Sequence, residues 1–335
     1  MSRRVLILAA LALGAVAGGV QGQVSDDPAE TGRLRVAPPR WNASVTARPA
    51  IAAFAIGIDG FRVPHRVMAL HVLPGARVQI TSDEGPQARL TVSDGAGRVR
   101  AEAGGSWSWD APDRAGFYAV RVVAEHLRDT IHVTFMVARL AAEVRDGTLN
   151  GYRIGAYRPR PSSMSASYEP PTGFVEARPN DADMLVSPNF RLGQFLCKQP
   201  GDPKYLLVSP RLLMKLEALL AAVNRAGYRT SSLAVMSSFR TPAYNRAIGN
   251  TTDFSRHLWG DAADVYVDGD GDGRMDDLNG DLISDLGDAR WLAQRVEEMM
   301  AMTDDLEPGG LAVYPANAAH GLFVHIDARG YRARW

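Results

Sequence analysis

Two histidines and one aspartate set the chemical possibilities of this chain. The stretch Ser255-Arg256-His257-Leu258-Trp259-Gly260-Asp261-Ala262-Ala263-Asp264 is answered much later by Phe323-Val324-His325-Ile326-Asp327. His257, Asp264 and His325 offer two imidazoles and one carboxylate, the donor set of a catalytic zinc that keeps its fourth position open for water. Such an ion acidifies its water from about 15.7 to about 7, giving a hydroxide able to attack an amide at neutral pH. That is metal-assisted amide hydrolysis.

The spacing says which elements must hold these groups. Six residues separate His257 from Asp264, which does not suit two ligands on one helix face, where spacings of three or four are needed. A loop entering a strand fits, because Ala263-Asp264-Val265-Tyr266-Val267 alternates and is β-branched. The third ligand sits in a short apolar run, Leu322 to Ile326, that also reads as a strand. Two neighbouring strands showing one face to a loop would bring all three together.

The pattern Ser-x-His-x-x-Gly-x-Ala-x-Asp, followed by Val-His-x-Asp, resembles the zinc D-Ala-D-Ala peptidases of the Hedgehog/DD-peptidase superfamily. Within that superfamily it is most similar to the branch containing bacterial murein endopeptidases. Ser237-Ser238-Phe239-Arg240-Thr241 and Gly309-Gly310-Leu311-Ala312-Val313-Tyr314-Pro315 add to the resemblance, which covers roughly Phe190 to Trp335. It implies that His257, Asp264 and His325 are the zinc ligands. It also implies that Arg240 faces the cleft, to stabilise an oxyanion or clamp a substrate carboxylate. Ser255 is read as a substrate contact, a partner of His257, or a plain turn residue.

One departure concerns the general base. Many relatives carry a carboxylate two or three residues before the last histidine, where this chain has Phe323 and Leu322. Two replacements are open. His320 matches a histidine of some relatives and would stabilise the transition state or shuttle protons. Asp327 falls on the strand face of His325, since side chains repeat every two residues, and would serve as its partner or as a base. His320 is preferred.

A second constellation follows the Asp264 strand. Asp268, Asp270, Asp272 and Asp276 occupy positions 1, 3, 5 and 9 of a calcium-loop pattern, with Gly273 at 6 and Asn279 at 12. The twelfth residue is not the bidentate glutamate of an EF-hand, so the loop is closer to the aspartate-rich loops of dockerin or thrombospondin type-3 repeats. Carboxylates so crowded repel without a cation. Calcium is the preferred reading, a solvated acidic loop the other.

Composition bounds the rest. The chain has 335 residues, 46% of them hydrophobic and 22% charged, with 37 basic residues balancing 37 acidic ones. That is a globular composition with room for two domains, and a zero net charge gives no sign of a nucleic-acid surface. Arg3 and Arg4 precede an apolar run, Val5 to Ala17, and then small residues, the order of a secretory signal. The run is short for a membrane span, which needs about 20 residues. A periplasmic or secreted protein without a stable membrane anchor is therefore expected. The single cysteine, Cys197, excludes an intrachain disulfide and reads as a small buried residue.

Taken in order, residues 1–22 are expected to be the signal peptide and 23–49 an N-terminal extension. Residues 50–145 are expected to form an all-β, immunoglobulin-like sandwich, with strands at 67–73, 78–81, 89–93, 117–124 and 130–137. The later hairpin of bacterial immunoglobulin-like modules resembles Trp107-Ser108-Trp109-Asp110-Ala111-Pro112 followed by Gly116-Phe117-Tyr118. His65, His71, His126 and His132 in this region are read as ordinary sheet or loop residues. Residues 146–188, rich in Pro and Tyr, are either a passive linker or a strap along the next domain. Residues 189–335 are expected to be an α+β zinc peptidase domain with a small, mainly antiparallel sheet. It should contain a helix from Pro210 with Ser209 as N-cap, a strand from Leu233 to Phe239, and a second helix capped by Asp288.

The function expected is zinc-dependent hydrolysis of amide bonds in peptidoglycan stem peptides or cross-links, as DD-endopeptidase or D-Ala-D-Ala carboxypeptidase. The alternative is a cell-wall-binding or scaffolding protein with a structural zinc closed by a fourth ligand, His320.

Overall fold

The computed structural model describes residues 50–93 and 95–335. The segments read as signal peptide and N-terminal extension lie outside them, as does Asp94. Among the described residues no helix is long and apolar enough to cross a membrane.

Residues 51–137 form nine strands. These are β1 (Ile51–Ile58), β2 (Phe61–His65), β3 (Val67–Val72), β4 (Arg77–Ser82), β5 (Ala88–Val92), β6 (Arg98–Glu102), β7 (Ser106–Asp110), β8 (Gly116–Ala124) and β9 (Asp129–Val137). One sheet has the order β2-β1-β4-β7-β6 and the other β3-β9-β8-β5. All neighbours are antiparallel except β3 and β9. The inner faces meet where Trp109 of β7 stacks on Phe135 of β9, with ring centroids 4.3 Å apart. Trp109 is fully buried, and its indole N–H donates to Ala96 O at 2.6 Å, so its one polar atom is satisfied. Alternation explains β9, where Ile131, Val133, Phe135 and Val137 all point inward.

Four of these strands are not in the expectation from alternation. β1 packs the adjacent residues Phe54, Ala55 and Ile56, which hides its period. β2 contains Pro64 and lies at a sheet edge, where a missing N–H is tolerated. β6 is largely polar and forms the other edge, which charge protects from further pairing. β7 was legible only as part of the tryptophan hairpin. Asp59 and Gly60, at φ 46° and 80°, make the tight mirror-type turn between β1 and β2.

The Pro-rich region is more structured than a linker. Strand Gly173–Ala177 pairs on one side with Arg139–Leu140 and on the other with Lys204–Leu206. A short hairpin joins Thr148–Leu149 to Tyr152–Arg153.

The C-terminal sheet runs in the order Ala234–Ser237, Ala262–Tyr266, Phe323–Asp327, Gly310–Tyr314, Ala333–Arg334, with only the last pair parallel. Helices α1 (Pro210–Arg225), α2 (Pro242–Ala247) and α3 (Leu286–Met302) accompany it. α1 buries Leu212, Leu213, Leu216, Leu219, Leu220 and Val223, and α3 buries Leu292, Val296 and Met299. Ser209 stands at the N-cap of α1, with its hydroxyl making no capping bond. The cap of α3 is Asp285 rather than Asp288. Asp285 accepts from Gly287 N, while Asp288 sits one turn in and returns a bond to Asp285 N at 2.8 Å, closing a capping box. Thr241-Pro242 starts α2, with Thr241 Oγ1 accepting from Tyr244 N at 3.0 Å.

Candidate active site

Sheet register brings the first two groups together. Strand Ala262–Tyr266 lies against Phe323–Asp327 with Asp264 directly opposite His325, and Ser237 faces Asp264 from the other side. His257 arrives from the 3-10 turn Arg256–Trp259, which Gly260 ends at φ 69°. A side chain at Gly260 would run into the Leu207 carbonyl, so the close approach there requires glycine.

The three groups converge. Asp264 Oδ1 is 3.3 Å from His257 Nε2 and 2.9 Å from His325 Nδ1. The donor atoms all lie within 4.8 Å of one another, and each of the three residues is buried. His257 Nδ1 is 2.7 Å from Ser238 O, which can only accept, so Nδ1 carries the proton and the Nε2 lone pair faces Asp264. His325 is used the other way round. Its Nε2 donates to Asp327 Oδ2 at 3.2 Å, leaving Nδ1 for the ligand side. These are the tautomers a metal needs, each set by a partner behind the ring. The residues therefore fit a zinc ion.

Electrostatics point the same way. Burial pushes His257 down, which keeps its imidazole neutral. Burial opposes charge on Asp264, but the two imidazoles hold its carboxyl well below the usual carboxylate range. Burial also disfavours a charged His325, yet Asp264 and Asp327 on its two sides raise it to about 9. Without a metal, His325 is thus a cation between two carboxylates.

Arg240 is committed to the same cluster. Its Nη2 pairs with Asp264 Oδ2 at 2.7 Å and its Nε donates to Ser237 Oγ at 2.8 Å. It lines the cleft as expected, but with two donors engaged; Nη1 bonds to no described residue. Ser255 precedes the His257 turn and also lines the cleft. His320 lines it from a loop, with Nδ1 donating to Gly321 O at 2.9 Å and Nε2 accepting from Asn317 Nδ2 at 2.7 Å. Its ring stands edge-on to Phe323.

Asp327 is fully buried behind His325 rather than on the open side. It accepts from Gly310 N at 2.7 Å and from Arg329 Nε at 2.9 Å. The place is that of an orienting partner, not of a base. Arg329 was not found from the sequence, because no spacing rule links it to the motif. Nor was Lys215 of α1, a buried lysine whose Nζ donates to Asp327 O at 2.6 Å. Trp335 was missed too; its indole lies 5.3 Å from the His325 ring and donates to Tyr314 OH at 2.8 Å.

Of the two readings of the Pro/Tyr-rich region, the strap fits the contacts. Tyr157 OH donates to Leu258 O at 2.7 Å, and Trp259 Nε1 donates to Glu169 O at 2.8 Å. Arg256, buried and paired with Asp261, stacks on Tyr168 at 4.3 Å and donates to Ser167 O at 3.1 Å. The residues flanking His257 are held from this side.

In the acidic turn Asp268, Asp270 and Asp276 converge, whereas Asp272 and Asn279 do not join them. Asp272 instead caps Arg274 N, and Asn279 belongs to the next turn, bonding to Asp281. Burial, with repulsion from its acidic neighbours, pushes Asp276 up to about 6. In the sandwich, His126 pairs with Glu84 at 2.8 Å. None of the four histidines there belongs to a group able to hold a metal among the described residues. Cys197 is buried.

The cleft above the cluster encloses about 720 Å³. No curated protein and no solved structure matches the chain. Residues 189–278 match the family described as Peptidase M15, a segment that contains His257 and Asp264 and stops before His325. The similarity to the M15 peptidases thus covers the part of the C-terminal region that carries the first two of the three converging groups.

Proposed function

We propose that the chain is a periplasmic or secreted zinc metallopeptidase that hydrolyses amide bonds of peptidoglycan stem peptides or cross-links, with cross-link cleavage as the leading activity. The observation that carries this reading is the pairing of Asp264 with His325 across two strands, with His257 Nε2 turned to the same point at the floor of an open cleft. His257, Asp264 and His325 would hold the zinc, which when bound supplies Lewis acidity toward water and an amide carbonyl. The protein's own groups do the rest. Ser238 O and Asp327 fix the two imidazole tautomers, and Arg240 orients the Asp264 carboxylate.

Among the described residues that line the cleft, Asp264 is the only carboxylate. A proton must therefore be handled by another group, and His320 is the one imidazole there besides the two ligands. Its Nε2 accepts a proton once Asn317 releases it. Arg240 Nη1 is the donor left to meet negative charge developing on the substrate.

His320 does not join the three converging groups, which weighs against a structural zinc closed by four protein ligands. Two finer points belong to the same reading. The sandwich is immunoglobulin-like, supported by the parallel β3–β9 pair and by Tyr118 OH, which donates back to Arg114 O at 2.8 Å like a tyrosine corner. The acidic turn takes calcium, which would relieve repulsion among Asp268, Asp270 and Asp276. Retained zinc affinity on Asp270→Ala would separate that turn from the catalytic centre.

Mass spectrometry of purified sacculi incubated with the chain tests the function. Cross-link-cleaved or D-Ala-shortened fragments should vanish with chelator and return with zinc. No release from a folded, zinc-loaded chain would refute the peptidase reading.

A further inference from the structure

Four cationic side chains line the cleft, and they differ in whether a carboxylate neutralises them. Lys198, Arg240, Arg256 and Arg329 line it, against the single carboxylate of Asp264. Three of these cations already have partners: Arg240 has Asp264, Arg256 has Asp261 and Arg329 has Asp327. Lys198 has none among the described residues. Its backbone is nonetheless held on both sides. Cys197 is buried, with its carbonyl accepting from Lys204 Nζ at 3.0 Å. Gln199 donates to Arg153 O at 3.0 Å and accepts from Thr241 Oγ1 at 3.4 Å. An exposed ammonium is thus presented to the cleft from a fixed backbone, with no anion among the described residues paired to it.

We infer that the substrate is an acidic peptide and that Lys198 receives one of its free carboxylates, making it a specificity-determining residue. The inference rests on the peptidase reading for the site but not for the charge. A carboxylate in the cleft meets one ammonium free to pair, whereas each of the three guanidiniums is already neutralised by a carboxylate. The unbalanced positive charge among the lining cations is therefore that of Lys198, which attracts an acidic ligand and sets its register.

The test uses zinc-loaded full chain and synthetic stem-type peptides in which each free carboxylate is converted in turn to the carboxamide. KM and kcat are measured for cleavage, and calorimetry measures binding of the same peptides. For wild type, one amidation should raise KM and weaken binding by about two- to fivefold, as for an exposed ion pair, with kcat little changed. Lys198→Gln should lose that distinction, and Lys198→Glu should prefer the amidated peptide. Because Lys198 is exposed, both variants should melt like wild type. If amidation affects wild type and Lys198→Gln alike, or affects neither, the inference is overturned. If no peptide is cut, the peptidase reading fails, and the binding series alone decides the role of Lys198.

Discussion

Replacing Asp327 by Asn should damage the metal centre although residue 327 touches no open part of the cleft. The carboxylate is fully buried. Oδ2 accepts from His325 Nε2 at 3.2 Å and from Arg329, while Oδ1 accepts from Gly310 N and Arg329 N. An amide is the same size but must put an NH₂ where one of these acceptors stands. Facing Oδ2's partners, that NH₂ confronts the His325 N–H and the Arg329 fork. The ring can escape only by accepting at Nε2 and moving its proton to Nδ1, the atom that faces Asp264. A ligand nitrogen is thereby lost to the wrong tautomer. Loss of such an outer partner costs about 10- to 100-fold in metal affinity, or about 1.4–2.7 kcal/mol at about 1.4 kcal/mol per tenfold. Competition with a chromophoric chelator on the full chain measures it, with thermal unfolding in excess chelator as the check that the variant folds. A folded Asp327→Asn chain binding zinc within twofold of wild type would refute the tautomer argument.

Three further outcomes are expected. His325, raised to about 9, holds a proton at pH 7 that zinc must displace. Zinc affinity should therefore climb about tenfold per pH unit below 9 and level off above it; a flat profile between pH 6 and 8 would count against this ligand set. His320→Ala should keep full zinc stoichiometry while turnover falls by about 10²- to 10⁴-fold. Loss of the zinc instead would revive the structural site. Trp109→Ala, which removes a fully buried ring stacked on Phe135, should cost about 3–5 kcal/mol in urea unfolding. A cost below 1 kcal/mol would mean that the two sheets do not depend on this contact.

Some of this was legible in the chain because it is local. Alternation around Val265 and Val324 marks strands, the apolar spacing along α1 marks a helix, and the spacing of His257, Asp264 and His325 allows only a loop and two strands as their supports. The donor types alone suggested a metal, and the three residues do converge as a group that could hold one. Other features have no local signature. Nothing in its sequence neighbourhood says that Asp264 pairs with His325, because antiparallel register is set by packing across 61 positions. The tautomers depend on Ser238 O and Asp327, and Asp327 on Arg329 and on Lys215 from a helix 112 residues away. The edge strand β6, Arg98–Glu102, alternates over only five residues with just Val99 and Ala101 apolar, and it buries too little for so short a run to stand out from a loop. The donor set was thus a property of the sequence, whereas the protonation and aim of each donor came from tertiary contacts, since hydrogen bonds to a ring's far side decide which nitrogen is free.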